Sequence, residues 1–378
     1  MAFSDTDRAR MRQALALAEQ SIGLSEPNPR VGCVIAAADA QVIATGFTQH
    51  AGGPHAEAVA LAAARAAGRS PNGATAWVSL EPCAHHGRTP PCCDALVAAG
   101  IARVVVASVD PNPLVGGQGL ARLRAAGVEV VVDEGEFARA TRELNIGFFS
   151  RMRRGRPWLR MKIAASLDGR TALPDGTSQW ITGQAARHDG QRWRQRAGAV
   201  LSGIGTVLAD DPRLDVRALP TPRQPLRVVV DSALRTPSAA RILEPPGSVL
   251  IYGAHGSAAR AQALRARGAE VALLPGADGH VDLAALLTDL ARRGINELHV
   301  EAGATLNAAL LRAGLVDELL LYLAPRLLGA GRDMAAFGPL HRLADASEFE
   351  FWQVERVGAD LRILARPSGG ADFLEGSH

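Results

Sequence analysis

Residues 81–93 read EPCAHHGRTPPCC and hold three of the chain's four cysteines. No two of them have the C-x-x-C spacing of a zinc ribbon or a thiol redox site. The run ATAWVSLEPC, leading into this stretch, reads as a buried strand, and CCDALVAAG at its far end reads as a helix. Cys83 therefore follows a strand, while Cys92 opens a helix after two prolines, where the helix dipole favours a thiolate. Successive helical residues point about 100° apart, so Cys92 and Cys93 cannot both address one tetrahedral site without distortion. One of the two is spare.

The partners lie upstream, in PHAEAVA at 54–60. Gly52, Gly53 and Pro54 bring an extended chain into a helix, so His55 and Glu57 project from the helix entry. A hydrolytic zinc site needs three protein ligands, an open fourth position for water, and a carboxylate that is not itself a ligand. His55, two cysteines and Glu57 meet that requirement, with Glu57 carrying the proton of a water whose pKa the metal lowers to ~7. A closed structural zinc site would instead recruit His85 or His86 as a fourth ligand and leave Glu57 idle. Cys33 shares a strand face with Val31 and Ile35 and reads as a buried hydrophobe.

Around this core the first part of the chain alternates helices and strands, from an amphipathic helix at Asp7 to Ser21 through VGCVIAA, VIATGF, ARVVVASVD and VEVVVDEG. The pattern predicts a three-layer α/β domain with a largely parallel edge. A helix running through ATRELNIGFFSRMRR ends in a turn at Gly155 and Pro157, which places a domain boundary near residue 150. The second part opens on the strand WLRMKIAASLDG and repeats the α/β grammar without repeating the first part's sequence. Glycine-marked turns in SGIGTVLADDPRL and EAGATLNAALL suit the approach of a pyrophosphate to helix N-termini, although a strict G-x-G-x-x-G is absent.

Composition bounds the function. At 378 residues the chain is long enough for two domains, and 47% hydrophobic with 21% charged residues describes a globular protein. A net charge of +3 and 4% aromatic residues give no nucleic-acid surface and few stacking platforms. No apolar run reaches the ~20 residues of a membrane span. The first twenty residues carry acids and arginines through a helical pattern instead of a signal core, so a cytoplasmic protein is expected. Residues 369–378, GGADFLEGSH, are expected to be a disordered tail.

NPRVGCVI, PHAEAVAL, SLEPCAHHGRTPPC and VDPNPLVGGQG together resemble the deaminase half of the bifunctional riboflavin-biosynthesis deaminase/reductases, in the cytidine-deaminase superfamily. KIAASLDGRTA, SQWITG, GIGTVLADDPRL, VVVDSALRTP and VEAGATLNAALL resemble the reductase half, which uses NADPH. The resemblance covers about residues 8–365. It implies a cytidine-deaminase-like three-layer α/β domain over 1–150 and a dihydrofolate-reductase-like domain over 151–368. It selects Cys92, directly after RTPP, as the ligand beside His55 and Cys83. The eight-residue spacer AHHGRTPP then becomes a loop that helps hold a ribose 5-phosphate, with Arg88 offering the fork geometry. Asn28, in PNPRVG, matches a substrate-contacting position. Thr48 stands where family members often carry histidine, and Ala302 where VEGG is usual.

Carried over by position, Ala164, Trp180, Thr206, Asp210, Ser232, Gly303, Ala304, Thr305, Leu306, Asn307, Ala308 and Ala309 would contact NADPH. Ser178, Arg194, Leu214, Arg217 and Glu301 would contact substrate, the arginines as charge partners of a phosphate. Lys162, on the first strand of the second domain, faces the same region and is a candidate to polarise or protonate the opening sugar. Asp210 and Glu301 compete as proton donors. Without the resemblance, Trp180 reads as core and Arg194 as a solvated helix face.

The activity so implied is zinc-dependent deamination of 2,5-diamino-6-(5-phosphoribosylamino)pyrimidin-4-one, followed by NADPH-dependent reduction of the ribosyl group to ribityl. The resemblance also implies a homo-oligomer, a dimer or tetramer. Two rivals stand beside it: a nucleotide or RNA deaminase fused to a ligand-binding domain, and a non-catalytic regulator that keeps both ligands.

Overall fold

Ser4 starts the first helix: its hydroxyl accepts from the Asp7 N–H while the Asp7 carboxylate accepts from the Ser4 N–H, a capping box. Asp7 is nevertheless buried, because its carboxylate also takes the Trp77 indole N–H at 2.8 Å and two Arg103 nitrogens at 2.8 and 3.0 Å. The structure is a computed structural model and describes residues 3–39, 41–84, 91–113 and 115–374. It divides into two units, one running through Gly155 and the other beginning at Arg156.

In chain order the first unit contains α1 (Asp5–Glu19), β1 (Gly32–Ala36), β2 (Val42–Phe47), α2 (Ala56–Ala66), β3 (Thr75–Val78), α3 (Cys92–Ala98), β4 (Arg103–Val106), α4 (Gln118–Ala125), β5 (Glu129–Val132), α5 (Glu136–Leu144) and α6 (Ile146–Arg154). Its sheet has the order β2-β1-β3-β4-β5, antiparallel at β2-β1-β3 and parallel from β3 to β5. All five residues of β1 are buried, because the sheet is covered on both faces. Val34 and Ala36 pack with Met11 and Ala14 of α1 and Phe137 of α5. On β2, a Cβ at Gly46 would stand 2.3 Å from the Ala56 carbonyl oxygen, so only glycine lets α2 lie this close. That contact places the entry of α2, and with it His55 and Glu57, against the sheet. The helix expected to run through to the Gly155 turn is broken at Asn145 into α5 and α6, and the boundary expected near residue 150 falls inside α6.

The second unit contains β6 (Trp158–Ser166), β7 (Arg170–Ala172), α7 (Gln184–Arg196), β8 (Ala199–Gly203), α8 (Ile204–Asp210), β9 (Leu226–Val230), β10 (Val249–Gly253), α9 (Ala258–Ala266), β11 (Glu270–Leu273), α10 (Leu283–Arg292), β12 (Glu297–Val300), α11 (Ala304–Arg312), β13 (Glu318–Ala324), β14 (Arg332–Asp333), β15 (Glu350–Val357) and β16 (Asp360–Arg366). Nine strands form one sheet in the order β11-β10-β9-β8-β12-β6-β13-β16-β15, parallel from β11 to β13 and antiparallel beyond. Leu159, Met161, Leu201, Val228, Leu250 and Leu298 fill its central core. The β15–β16 hairpin has no counterpart in the sequence reading; β15 is exposed at every position but its last, so no buried alternation marks it. Residues 369–374 do not behave as the expected tail. Asp372–Leu374 form a short 3-10 turn with Leu374 buried and the Phe373 ring 5.8 Å from that of Trp158, because two apolar side chains find cover there.

Candidate active sites

His55 is the N-cap of α2, in extended conformation with φ −76° and ψ 168°, and its side chain makes no capping bond. The ring is thereby left to face Cys83, on the loop after β3, and Cys92, the first residue of α3. His55 Nδ1 stands 3.7 Å from Cys83 Sγ and 3.4 Å from Cys92 Sγ, and the ligand atoms of the three lie within 4.8 Å of one another. A tetrahedral zinc with ordinary Zn–N and Zn–S bonds separates its ligands by roughly 3.5–3.8 Å, so one nitrogen and two sulfurs at these spacings fit that ion. Cys93 turns away: it is fully buried, its sulfur lies 3.7 Å from Asp94 Oδ1, and burial pushes its thiol up to about 11. Cys33 is fully buried too.

Glu57, in the first turn of α2, is 3% exposed. Burial, with the Cys83 sulfur as a second cause, pushes its carboxyl up to about 7. Between protein atoms alone, the hydrogen bond from Cys92 pulls Cys83 down to about 4, and the same bond pushes Cys92 up. His55 is raised by its hydrogen bond with Cys83.

The cysteine loop is held from behind by Glu81. Its carboxylate accepts four backbone N–H groups, from Asp110 at 3.2 Å, Gly117 at 2.9 Å, Gly119 at 2.9 Å and Leu120 at 3.2 Å. A Cβ on Gly119 would stand 2.0 Å from the Pro82 carbonyl oxygen, so the start of α4 presses directly on the residue before Cys83. His55, Glu57 and Cys83 line a cavity of about 400 Å3. Asn28 and Thr48 line it, together with Asp110, Asn112, Phe148 and Arg151. Burial pushes Asp110 up to about 7, with the Glu81 charge adding to the rise. Arg88, like His85 and His86, lies outside the described residues.

In the second unit, Thr206, Ser232, Glu301 and Gly303 come just after the parallel strands β8, β9 and β12, at the strand ends where open α/β sheets bind ligands. Lys162 and Ala164 alternate onto one face of β6 while Met161, Ile163 and Ala165 are buried. Just beyond β12, the Glu301 carboxylate is gripped by Arg194 of α7 at 2.5 and 3.0 Å, with Lys162 Nζ at 3.9 Å and His299 Nε2 at 3.3 Å. Burial would raise Glu301, but Arg194 and then Lys162 outweigh it and hold the carboxyl well below its ordinary range. Burial lowers Lys162. Arg194 also donates to the Asp215 carbonyl at 3.0 Å, and Arg217 donates to the Asp215 carboxylate at 2.9 Å. Asp215 thus joins the two arginines, and Leu214 beside it is buried with φ 53°.

The residues assigned to a dinucleotide are only partly assembled. Thr206, in the first turn of α8, has its Oγ1 3.6 Å from where a Cβ on Gly303 would stand, so the starts of α8 and α11 lie side by side. Asp210 follows Thr206 by one turn, exposed at the end of α8. Ser232 follows β9, its Oγ accepting from the Val281 N–H at 3.2 Å. Within the run from Gly303 to Ala309, Gly303 and Thr305 are exposed and Ala304, Leu306 and Ala309 half-buried. Asn307 donates to the Met334 carbonyl at 2.9 Å and Ala308 is fully buried, so these two side chains face inward and the first turn is the more open part of the run. Trp180 is not core: it is 61% exposed with Arg187 stacked on it at 4.4 Å. No hydrogen bond or ion pair joins Trp180 or Ser178 to the Glu301 cluster among the described residues.

Comparison with known proteins agrees in both units. The profile described as "RibD C-terminal domain" matches residues 157–363, and that described as "Cytidine and deoxycytidylate deaminase zinc-binding region" matches residues 4–108. The chain is 46% identical over 371 residues to "Riboflavin biosynthesis protein RibD" of Escherichia coli, covering 94% of this chain and 98% of that one. The chain belongs to the RibD family. An Acinetobacter baumannii RibD structure is similar at 44% identity and a TM-score of 0.87, covering 96% of this chain and 99% of that one. A Thermotoga maritima diaminohydroxyphosphoribosylaminopyrimidine deaminase/5-amino-6-(5-phosphoribosylamino)uracil reductase is similar at 32% identity and a TM-score of 0.84, with the same coverage of 96% and 99%.

As a RibD family member the chain is a bifunctional deaminase and reductase of riboflavin biosynthesis, with Zn2+ and NADPH as its cofactors. The expected pairing of a cytidine-deaminase-like domain with a RibD reductase domain in one α/β chain holds. Its substrate is a small molecule. No helix among the described residues is long and apolar enough to cross a membrane. Glu81, Asp110, Asn112, Phe148, Arg151 and Asp215 escaped the sequence reading. VDPNPLVGGQG contains Asp110 and Asn112, and Glu81 opens the cysteine stretch itself; nothing local marks Phe148, Arg151 or Asp215.

Proposed function

We propose that the first unit deaminates 2,5-diamino-6-(5-phosphoribosylamino)pyrimidin-4-one and that the second reduces the deaminated product's ribosyl group to ribityl, the pair of activities in the Thermotoga protein's name. The observation that carries the reading is the convergence of His55, Cys83 and Cys92 beside the buried Glu57, inside the segment that matches the zinc-binding deaminase profile. His55, Cys83 and Cys92 would hold the zinc, which when bound supplies a Lewis acid able to generate a hydrolytic nucleophile near neutral pH. Glu57 takes up a proton at its carboxylate and releases it to the departing amine; a pKa near 7 suits a group that must do both. Asn28 and Asp110 orient the pyrimidine, and Arg88 is the proposed phosphate contact on the cysteine loop.

In the second unit NADPH supplies the hydride. Thr206, Ser232 and the first turn of α11 from Gly303 to Leu306 would receive it, with Ala164, Trp180 and Asp210 at its edges. Arg194 and Arg217 bind the substrate's anionic end around Asp215, while Ser178 and Leu214 complete that subsite. Glu301, held ionised by Arg194 and Lys162, accepts hydrogen bonds from sugar hydroxyls; Lys162 is the better proton donor because burial weakens its hold on the proton.

A homo-oligomer is part of the reading. Its support is Phe351, Trp352 and Val354, which are 73%, 58% and 53% exposed on the edge strand β15. Four free cysteines suit a reducing cytoplasm. The deciding experiment assays both half-reactions on one preparation whose zinc content is measured. A zinc-loaded enzyme that leaves the diaminopyrimidine untouched but deaminates a polynucleotide would overturn the reading.

A further inference from the structure

The cavity of the first unit reaches beyond the segment that matches the deaminase profile. That match ends at residue 108 and the reductase match begins at 157, yet Asp110, Asn112, Val115, Phe148, Arg151 and Met152 all line the cavity. The zinc-binding segment therefore brings the metal donors and Glu57, and the stretch between the two matches builds a wall of its own. Half of that wall comes from one helix, α6, whose residues Phe148, Arg151 and Met152 lie at the i, i+3, i+4 spacing of a single face.

The wall's charge is informative. Glu57, Glu81 and Asp110 make the described lining acidic, and apart from His55 in the metal cluster, Arg151 is the one cationic side chain among the described lining residues. Its guanidinium stacks over Phe148 with 5.6 Å to the ring centroid and donates to the Pro27 carbonyl at 3.1 Å, in the turn that carries Asn28. The α6 residue is thus fixed from two sides rather than free to swing into solvent. A phosphorylated substrate brings about two negative charges into a cavity that already holds carboxylates, and it needs a fixed counter-charge there.

We propose that Arg151 is a specificity-determining residue of the deaminase cavity, recognising the substrate's phosphate from α6. This rests on the deaminase reading above. It makes α6 an element that distinguishes a phosphoribosyl-pyrimidine from an unphosphorylated one.

The test is steady-state deamination by the full-length zinc enzyme, as wild type, Arg151→Met and Arg151→Lys. Each is assayed on 2,5-diamino-6-(5-phosphoribosylamino)pyrimidin-4-one and on the same compound without its phosphate. Arg151→Met should raise KM for the phosphorylated substrate about 10- to 100-fold, the span of a charge-assisted contact, with kcat within about threefold. Arg151→Lys should recover part of that loss. On the phosphate-free compound all three proteins should agree within about twofold. Equal losses on both compounds would make Arg151 a brace for the Asn28 turn and overturn the proposal; so would unchanged kinetics on both. Should Arg151→Met lose its zinc, the lysine variant carries the comparison. Wild-type enzyme inactive on both pyrimidines would sink the deaminase reading itself, a result distinct from a loss that fails to follow the phosphate.

Discussion

His55 Nδ1 stands 3.4 Å from Cys92 Sγ although 37 positions separate the two residues. The contact exists because α2 and α3 begin close together, α2 presenting its N-cap and α3 its first residue. Predictions about the metal follow from which side chains share that point. Cys92→Ser should lose most bound zinc, whereas Cys93→Ser should keep one zinc per chain and near wild-type deamination. Metal analysis of purified variants decides this; zinc loss in the Cys93 variant would exchange their roles.

Glu57 is buried beside the cluster without being one of its three donors. Glu57→Gln should reduce deamination by about 10²- to 10⁴-fold, the range of a general acid–base group. Zinc content should be unchanged, and NADPH oxidation with the deaminated substrate should be intact. A variant that loses zinc and activity together would show that Glu57 serves the fold or the metal instead.

Asp110 gives a pH signature. Its folded pKa of about 7 lies above the ordinary value of 3.8. The protonated form is the one the fold favours, so the stability it brings is fully present below about pH 4 and is lost as pH rises through 7. Wild-type unfolding free energy should carry a downward contribution on the order of a few kcal/mol across that window, and Asp110→Asn should remove it. Urea titrations of both proteins at several pH values measure the difference in slope; parallel slopes count against the burial argument.

Arg194 and Glu301 form a largely enclosed ion pair, their side chains 12% and 16% exposed. Arg194→Met should destabilise the second unit by about 3 kcal/mol and abolish most reductase turnover. The double variant with Glu301→Gln should be more stable than Arg194→Met alone, because the stranded carboxylate is gone. Thermal unfolding of the four proteins in the cycle checks this, and simple additivity would mean that the pair is not coupled.

Much of the first unit was legible in the chain. VIATGF is β2 residue for residue, and the helices after His55 and before Ala99 begin where Pro54 and Pro91 say they should. Periodicity and helix entry are local properties, fixed by a few neighbouring side chains, so they survive without the fold. The β15–β16 hairpin was not legible because its outer strand buries nothing. The split between α5 and α6 was not legible either. Asn145 donates to the Arg30 carbonyl at 3.0 Å and accepts its N–H at 2.7 Å, a bond to a residue 115 positions away.

The same division runs through the sites. By itself the sequence determined the candidate donor types, a carboxylate two residues from the candidate histidine and the two-unit α/β plan, because each is written in short spacings and in hydrophobic periods. Only the tertiary structure decided what surrounds them: Glu81 holding the Cys83 loop through four distant backbone N–H groups, Asp215 joining Arg194 to Arg217, and Arg151 reaching the cavity from a helix outside the zinc-binding segment. Those roles depend on which charge or donor lies a few ångströms away, and distance through space is set by packing of the whole sheet and its helices rather than by neighbours along the chain.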